Sequence, residues 1–211
     1  ITDIIHKNNG LVYMDGANMN AQSGWTSPGS CGADVCHLNV HKTFCIPHGG
    51  GGPGLGPICV NEKLEKFLPS NIITDKDYHN KETIGMVTSS NFSSASLLTI
   101  PYIYFNSMGL EGIKKSTLSA ILASNYLKNK LEKYYEIYST NSNGFVGHEF
   151  IINLSQFKKL GISDKDLSKR LIDYNFHPPT MSWPVPNSLM IEPTESESLE
   201  ELDRLIEAMI S

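Results

Sequence analysis

The chain has 211 residues, 40% of them hydrophobic and 18% charged, which suits one large globular domain or two small ones. Its formal charge of -5 and pI of about 5.8 give no electrostatic reason to expect nucleic acid or an anionic membrane as partner. No apolar run approaches the roughly 20 residues of a membrane span and no signal sequence opens the chain, so composition predicts a soluble, intracellular type of protein.

In chain order, Ile1, Ile4 and Ile5 read as part of a helix, and a start without Met predicts a piece of a longer polypeptide. Residues 11–14 (LVYM), bounded by Asn9-Gly10 and Asp15-Gly16, predict a buried strand of a parallel sheet with Asp15 at its carboxyl end. Two further strands are expected at 35–40 and 56–60, separated by a glycine loop, and a helical pattern at 62–67. Strands interleaved with helices indicate α/β architecture, in which ligands bind at the carboxyl ends of the strands. Cys31, Cys36, Cys45 and Cys59 all fall in this first third, which predicts reduced, partly buried thiols rather than a disulfide framework.

Residues 71–86 are polar and irregular, and a serine-rich stretch then leads into the apolar segment 97–105. Leu110, Ile113, Leu118, Ile121 and Leu122 recur at helical spacing, so a long helix to about Tyr134 is expected to bridge to a second domain. That part reads as α+β, with strands near 135–138, 150–154 and 189–191. Ser163 with Asp166, and Thr194 with Glu197, have the capping-box spacing ahead of two amphipathic helices. The expected boundary separates residues 1–108, a partial large domain with a mainly parallel sheet, from a smaller α+β domain at 109–211.

The stretch 37–54, HLNVHKTFCIPHGGGGPG, admits three chemical readings. His37 and His41 have the i, i+4 spacing of metal ligands on a helix, but the zinc-hydrolase pattern requires Glu where this chain has Leu38. A Walker A loop places its lysine after the glycines, whereas Lys42-Thr43 precedes them, and the unbroken Gly49 to Gly52 run does not fit the dinucleotide fingerprint. The third reading is a lysine that forms a Schiff base with pyridoxal phosphate. Lys42 supplies the amine, Asp15 a partner for the pyridinium nitrogen, and Asn39 and His41, one strand repeat apart, phosphate contacts. A lone Asp after a strand also serves as a turn or cap, and bare glycines need only mark a tight loop. Residue types and spacing therefore favour pyridoxal phosphate while leaving the alternatives open.

Residues 12–22 (VYMDGANMNAQ), the stretch 37–54, and the segments 147–150 (GHEF), 177–185 (HPPTMSWPV) and 189–197 (LMIEPTESE) together resemble the glycine decarboxylase P-protein family of the glycine cleavage system. The resemblance implies a fold-type I pyridoxal-phosphate enzyme of which this chain is a C-terminal part. By position, Lys42 matches the Schiff-base lysine and Asp15 the pyridinium partner, while Asn39 and His41 fall at phosphate-ligand positions. Asn18, His48, Gly50, Gly51 and His177 are assigned to the substrate or lipoyl channel. No metal is expected. Phe92, within the serine-rich stretch, stands where the family pattern has Trp.

The implied reaction is decarboxylation of glycine, with the remaining aminomethyl group passing to the lipoyl arm of the H-protein and CO2 released. Implied with it are an assembly of P-protein halves, dimeric or heterotetrameric, and a location in the mitochondrial matrix of a eukaryote or the cytoplasm of a bacterium. Aminotransferases of this fold grip the substrate carboxylate with Arg, and the two arginines here, Arg170 and Arg204, lie in expected amphipathic helices as surface residues. Another fold-type I reaction, such as amino transfer or sulfur transfer, is the competing expectation, as is a fragment inactive alone. His37, His48, His148 and His177 are candidates for proton relay or substrate contact.

Overall fold

The computed structural model describes residues 1–48, 54–76, 82–90 and 92–211, which form two compact units, Ile1–Ile113 and Lys114–Ser211. Among the described residues no helix is long and apolar enough to cross a membrane.

The first unit opens with helix α1 (Thr2–Lys7), followed by strands β1 (Tyr13–Gly16) and β2 (Val35–Leu38), the short helix α2 (Val40–Thr43) and strand β3 (Ile58–Val60). The sheet order is β1-β2-β3. β1 and β2 are parallel, with Asp15 beside His37 and Gly16 beside Leu38. β3 returns antiparallel to β2, which makes the sheet mixed.

A buried carboxylate ties these pieces together. Asp34, 2% exposed, accepts from Val12 N–H at 2.7 Å and from the Asn61 side-chain amide at 2.6 Å, and its Oδ2 lies 2.8 Å from His6 Nε2. Carboxylates this deep are tolerated only when so paired. The backbone N–H of Val12 first, then His6, holds its pKa down at about 2.

Helix α3 (Thr99–Leu131) passes from the first unit into the second. It is interrupted at Gly109, whose φ of 59° and ψ of 176° no helix accommodates and which a side chain would disfavour. The second limb is the helix expected from the periodicity. The first limb carries its Tyr102, Ile103 and Phe105 exposed rather than on one buried stripe, so it lacked a periodic signature.

The second unit is a four-stranded antiparallel sheet ordered β4-β5-β7-β6, from β4 (Glu136–Ile137), β5 (Phe150–Asn153), β6 (Thr180–Met181) and β7 (Ser188–Ile191). It packs with α4 (Asp164–Asp173), α5 (Leu199–Ile210) and the end of α3. Leu127, Leu131, Ile152 and Leu189 are wholly buried in one core with Leu171, Leu202 and Met209. Burial of each such side chain contributes about 1.5 to 3 kcal/mol. The Tyr135 hydroxyl donates to Met209 O at 2.5 Å and so satisfies a carbonyl of the last turn of α5.

Ser163 and Asp166 form the expected capping box on α4. The cap of α5 is different from the one expected: Ser198, accepting from Glu201 N–H, begins the helix. Thr194 adopts φ 63° and hydrogen-bonds locally with Ser196, so it cannot serve as N-cap, which requires extended backbone.

Candidate active site

The site is built on the carboxyl edge of the β1–β2 pair. Because the two strands run parallel, their ends coincide: Asp15 is the third residue of β1, and α2, which carries Lys42, begins two residues beyond β2. Asp15 and Lys42 are both exposed. The loop after β1 is fastened to α2 by Met19 N–H donating to Thr43 Oγ1 at 3.0 Å, with Met19 and Val40 buried.

Asp15 is held from two sides through the same oxygen. Ala17 N–H donates to Oδ1 at 2.9 Å, and His37 Nε2 lies 3.4 Å from it. The other nitrogen of His37, Nδ1, is 2.5 Å from the Tyr13 hydroxyl, and the two rings stack with centroids 5.7 Å apart. Alternation along β1 and register with β2 put Tyr13, Asp15 and His37 on one face.

Asn39 and His41 do not occupy one face of a continuing strand, as their spacing had suggested. β2 ends at Leu38; Asn39 is the extended N-cap of α2, with no capping bond from its side chain, and His41 lies within the helix. His41 packs edge-on against His48, ring centroids 4.6 Å apart. Its Nδ1 is buried with no hydrogen-bond partner among the described residues. Burial first, then the neighbouring His48 and Lys42, pushes its pKa down, so His41 favours the neutral form. It can offer a hydrogen bond but not a standing positive charge.

Asn18, placed with the channel by sequence, spends its Oδ1 on Asn20 N–H and so shapes the loop after β1. Gly50 and Gly51 lie outside the described residues. Phe92 is exposed. Cys36 is buried and the other three free thiols are exposed, so the expected partial burial holds for one of the four.

His177 belongs to the second unit, where it lines a cavity of about 500 Å³ with Glu192, Glu197 and Arg204. His148 lies in that unit too, 3.7 Å from both Glu149 and Glu192. Arg204 is bound to Glu201 at 2.7 Å, donates to Tyr174 O and covers the Phe176 ring. Arg170 pairs with Asp173 and stacks on Tyr174. Both arginines are thus committed to local surface structure.

Residues 116–211 match the family described as glycine dehydrogenase, C-terminal domain. Over all 211 residues the chain is 58% identical to a protein named glycine dehydrogenase (decarboxylating), mitochondrial, from Dictyostelium discoideum, and 56% identical to glycine dehydrogenase (decarboxylating) from Flavobacterium johnsoniae. This chain is similar along its whole length to the glycine dehydrogenases. It spans 21% and 22% of the length of those two relatives.

A crystal structure of glycine decarboxylase (P-protein) of the glycine cleavage system, in inhibitor-bound form, superposes with a TM-score of 0.75, covering 99% of this chain and 49% of the other at 18% identity. The architecture is α/β, a fold shared with that P-protein, with a cysteine desulfurase from Thermococcus onnurineus and with a serine palmitoyltransferase from Sphingomonas wittichii. Tyr13, which in sequence reads as one apolar position of a strand, joins Asp15 and His37 on this face, and its i, i+2 spacing to Asp15 is the one signal of that in the sequence.

Proposed function

We propose that this chain carries the lysine-bearing part of a glycine decarboxylase that releases CO2 from glycine and passes the aminomethyl group to the lipoyl arm of an H-protein. The whole-length identity to proteins named glycine dehydrogenase (decarboxylating) carries this reading. The residues at the β1–β2 edge suit pyridoxal phosphate: an exposed lysine amine, an exposed carboxylate, and a buried ring nitrogen on His41 with no partner among the described residues. When bound, this cofactor supplies an aldehyde for covalent attachment and a protonated pyridine ring that accepts the electron pair left as CO2 departs.

In this reading the Lys42 amine would hold the cofactor covalently through its aldehyde. Asp15 keeps the ring nitrogen protonated, because an ionised carboxylate beside it favours the charged form. His41, as a neutral partner, and Asn39, whose side chain makes no capping bond to α2, would hydrogen-bond the phosphate. Arg170 and Arg204 are engaged by Asp173 and Glu201, which agrees with a reaction that must let the substrate carboxylate go. Assembly with a second P-protein half, in a dimer or heterotetramer, belongs to the same reading. So does a location that follows the host, mitochondrial matrix or bacterial cytoplasm.

The polypeptide carrying this chain, incubated with pyridoxal phosphate and reduced with borohydride, is expected to gain the cofactor's mass on Lys42, and Lys42→Ala to gain none. Exchange of labelled bicarbonate into glycine, dependent on lipoylated H-protein, is the expected activity. Amino transfer to a 2-oxo acid in its place would overturn the assignment.

A further inference from the structure

We infer that His37 is a positioning residue that tunes the ring nitrogen of the cofactor through Asp15, with Tyr13 setting its tautomer. The inference rests on the pyridoxal-phosphate reading above.

Three observations carry it. Asp15 and His37 are direct neighbours across the parallel ladder, and His37 Nε2 stands 3.4 Å from Asp15 Oδ1. Tyr13, two residues before Asp15 on the same face, brings its hydroxyl to 2.5 Å from His37 Nδ1. Ala17 N–H takes the same Oδ1 of Asp15 at 2.9 Å.

An ionised carboxylate only accepts, so the nitrogen facing it is the one that carries a proton. With hydrogen on Nε2, neutral His37 presents a lone pair at Nδ1, and the Tyr13 hydroxyl donates to it. The face therefore has one polarity, from the Tyr13 O–H into His37 and from the His37 N–H toward Asp15. Ala17 N–H donates to Oδ1 and His37 Nε2 faces the same oxygen at 3.4 Å, so both bias the carboxylate toward presenting Oδ2 to the ring nitrogen.

Energy scale separates this role from a structural one. The Asp15 side chain is 74% exposed and that of His37 30% exposed, so their pairing adds little to folding stability. Its effect is on the orientation of Asp15, in the way that partners of a site residue commonly act.

The test is a spectroscopic one on the polypeptide carrying this chain, loaded with pyridoxal phosphate labelled with 15N in the ring. Solid-state NMR reads ring protonation directly, and borohydride trapping on Lys42 independently reports that the cofactor is seated. His37→Leu is expected to trap cofactor on Lys42 while moving the ring resonance toward unprotonated pyridine and weakening cofactor affinity roughly tenfold, the scale of one hydrogen bond to a charged group. His37→Gln, which can return an N–H toward Oδ1, is expected to recover most of the shift. Tyr13→Phe is expected to move the resonance the same way by less, and it decides the matter alone if His37→Leu does not accumulate as folded protein.

A ring resonance in these variants identical to that of the unsubstituted protein, with cofactor trapped on Lys42, would overturn the role of His37 and leave the proposed function standing. No trapping in the unsubstituted protein would overturn both.

Discussion

Gly16 shows how narrowly the residue following Asp15 is constrained. A Cβ there would stand 2.4 Å from His37 O and 2.5 Å from Cys36 Sγ, inside any van der Waals contact. The carbonyl belongs to β2, so relief requires parting the two strands that bring Asp15 and His37 together. Gly16→Ala is expected to destabilise the first unit by about 1 to 3 kcal/mol, the usual cost of overpacking, and, under the proposed function, to weaken retention of pyridoxal phosphate with it. Urea denaturation and cofactor titration on the same preparation check both; an unaltered midpoint would contradict the close approach. At this scale the placement of Asp15 and Lys42 at one edge of the sheet was legible in advance, since each follows an apolar run. Tyr13 was not, because a tyrosine in such a run reads equally well as core.

At the scale of elements, α2 and α5 show where local pattern misled. Residues 35–40 look like one strand because Val35, Leu38 and Val40 are apolar, yet β2 stops at Leu38 and Val40 is buried from a helical turn. A strand and a turn bury such residues equally well, so periodicity over six positions does not separate them. For α5, two sites with cap chemistry lie four residues apart, and the backbone chooses: Ser198 is extended at φ -76° and ψ 159°, whereas Thr194 is left-handed. Ser198→Ala is expected to cost about 1 kcal/mol of stability and Thr194→Ala much less. Thermal melts of the two variants side by side would settle the cap, and equal losses would count against Ser198. The capping box of α4 was readable because Ser163 and Asp166 have the required spacing directly ahead of the apolar positions Leu167 and Leu171.

Across the whole molecule, each unit is held by a different kind of interaction, and this gives the first one a distinctive pH response. The second unit has a contiguous apolar core. The first relies in part on Asp34, which joins α1, the approach to β1 and the residue after β3. The folded pKa of Asp34, about 2, is below the value of about 3.9 for an unfolded chain, so its contribution is present above that unfolded value and is lost as pH falls toward 2. Melting followed between pH 5 and pH 2 is expected to show the first unit weakening, with Asp34→Asn less stable at pH 5 and converging on the unsubstituted protein near pH 2. Parallel curves would refute the linkage. The sequence alone determined the α/β then α+β order, the rim position of Asp15 and the lysine that follows β2, because these depend on local hydrophobic pattern and on motifs continuous in the chain. Tertiary structure alone decided that β3 runs antiparallel, that Asp34 gathers three separate segments, and that Tyr13 and His37 meet Asp15 on one face. Those follow from strand register and direction, which are set by partners distant in the chain; the i, i+2 spacing of Tyr13 and Asp15 marks their shared face but not the strand that lies beside it.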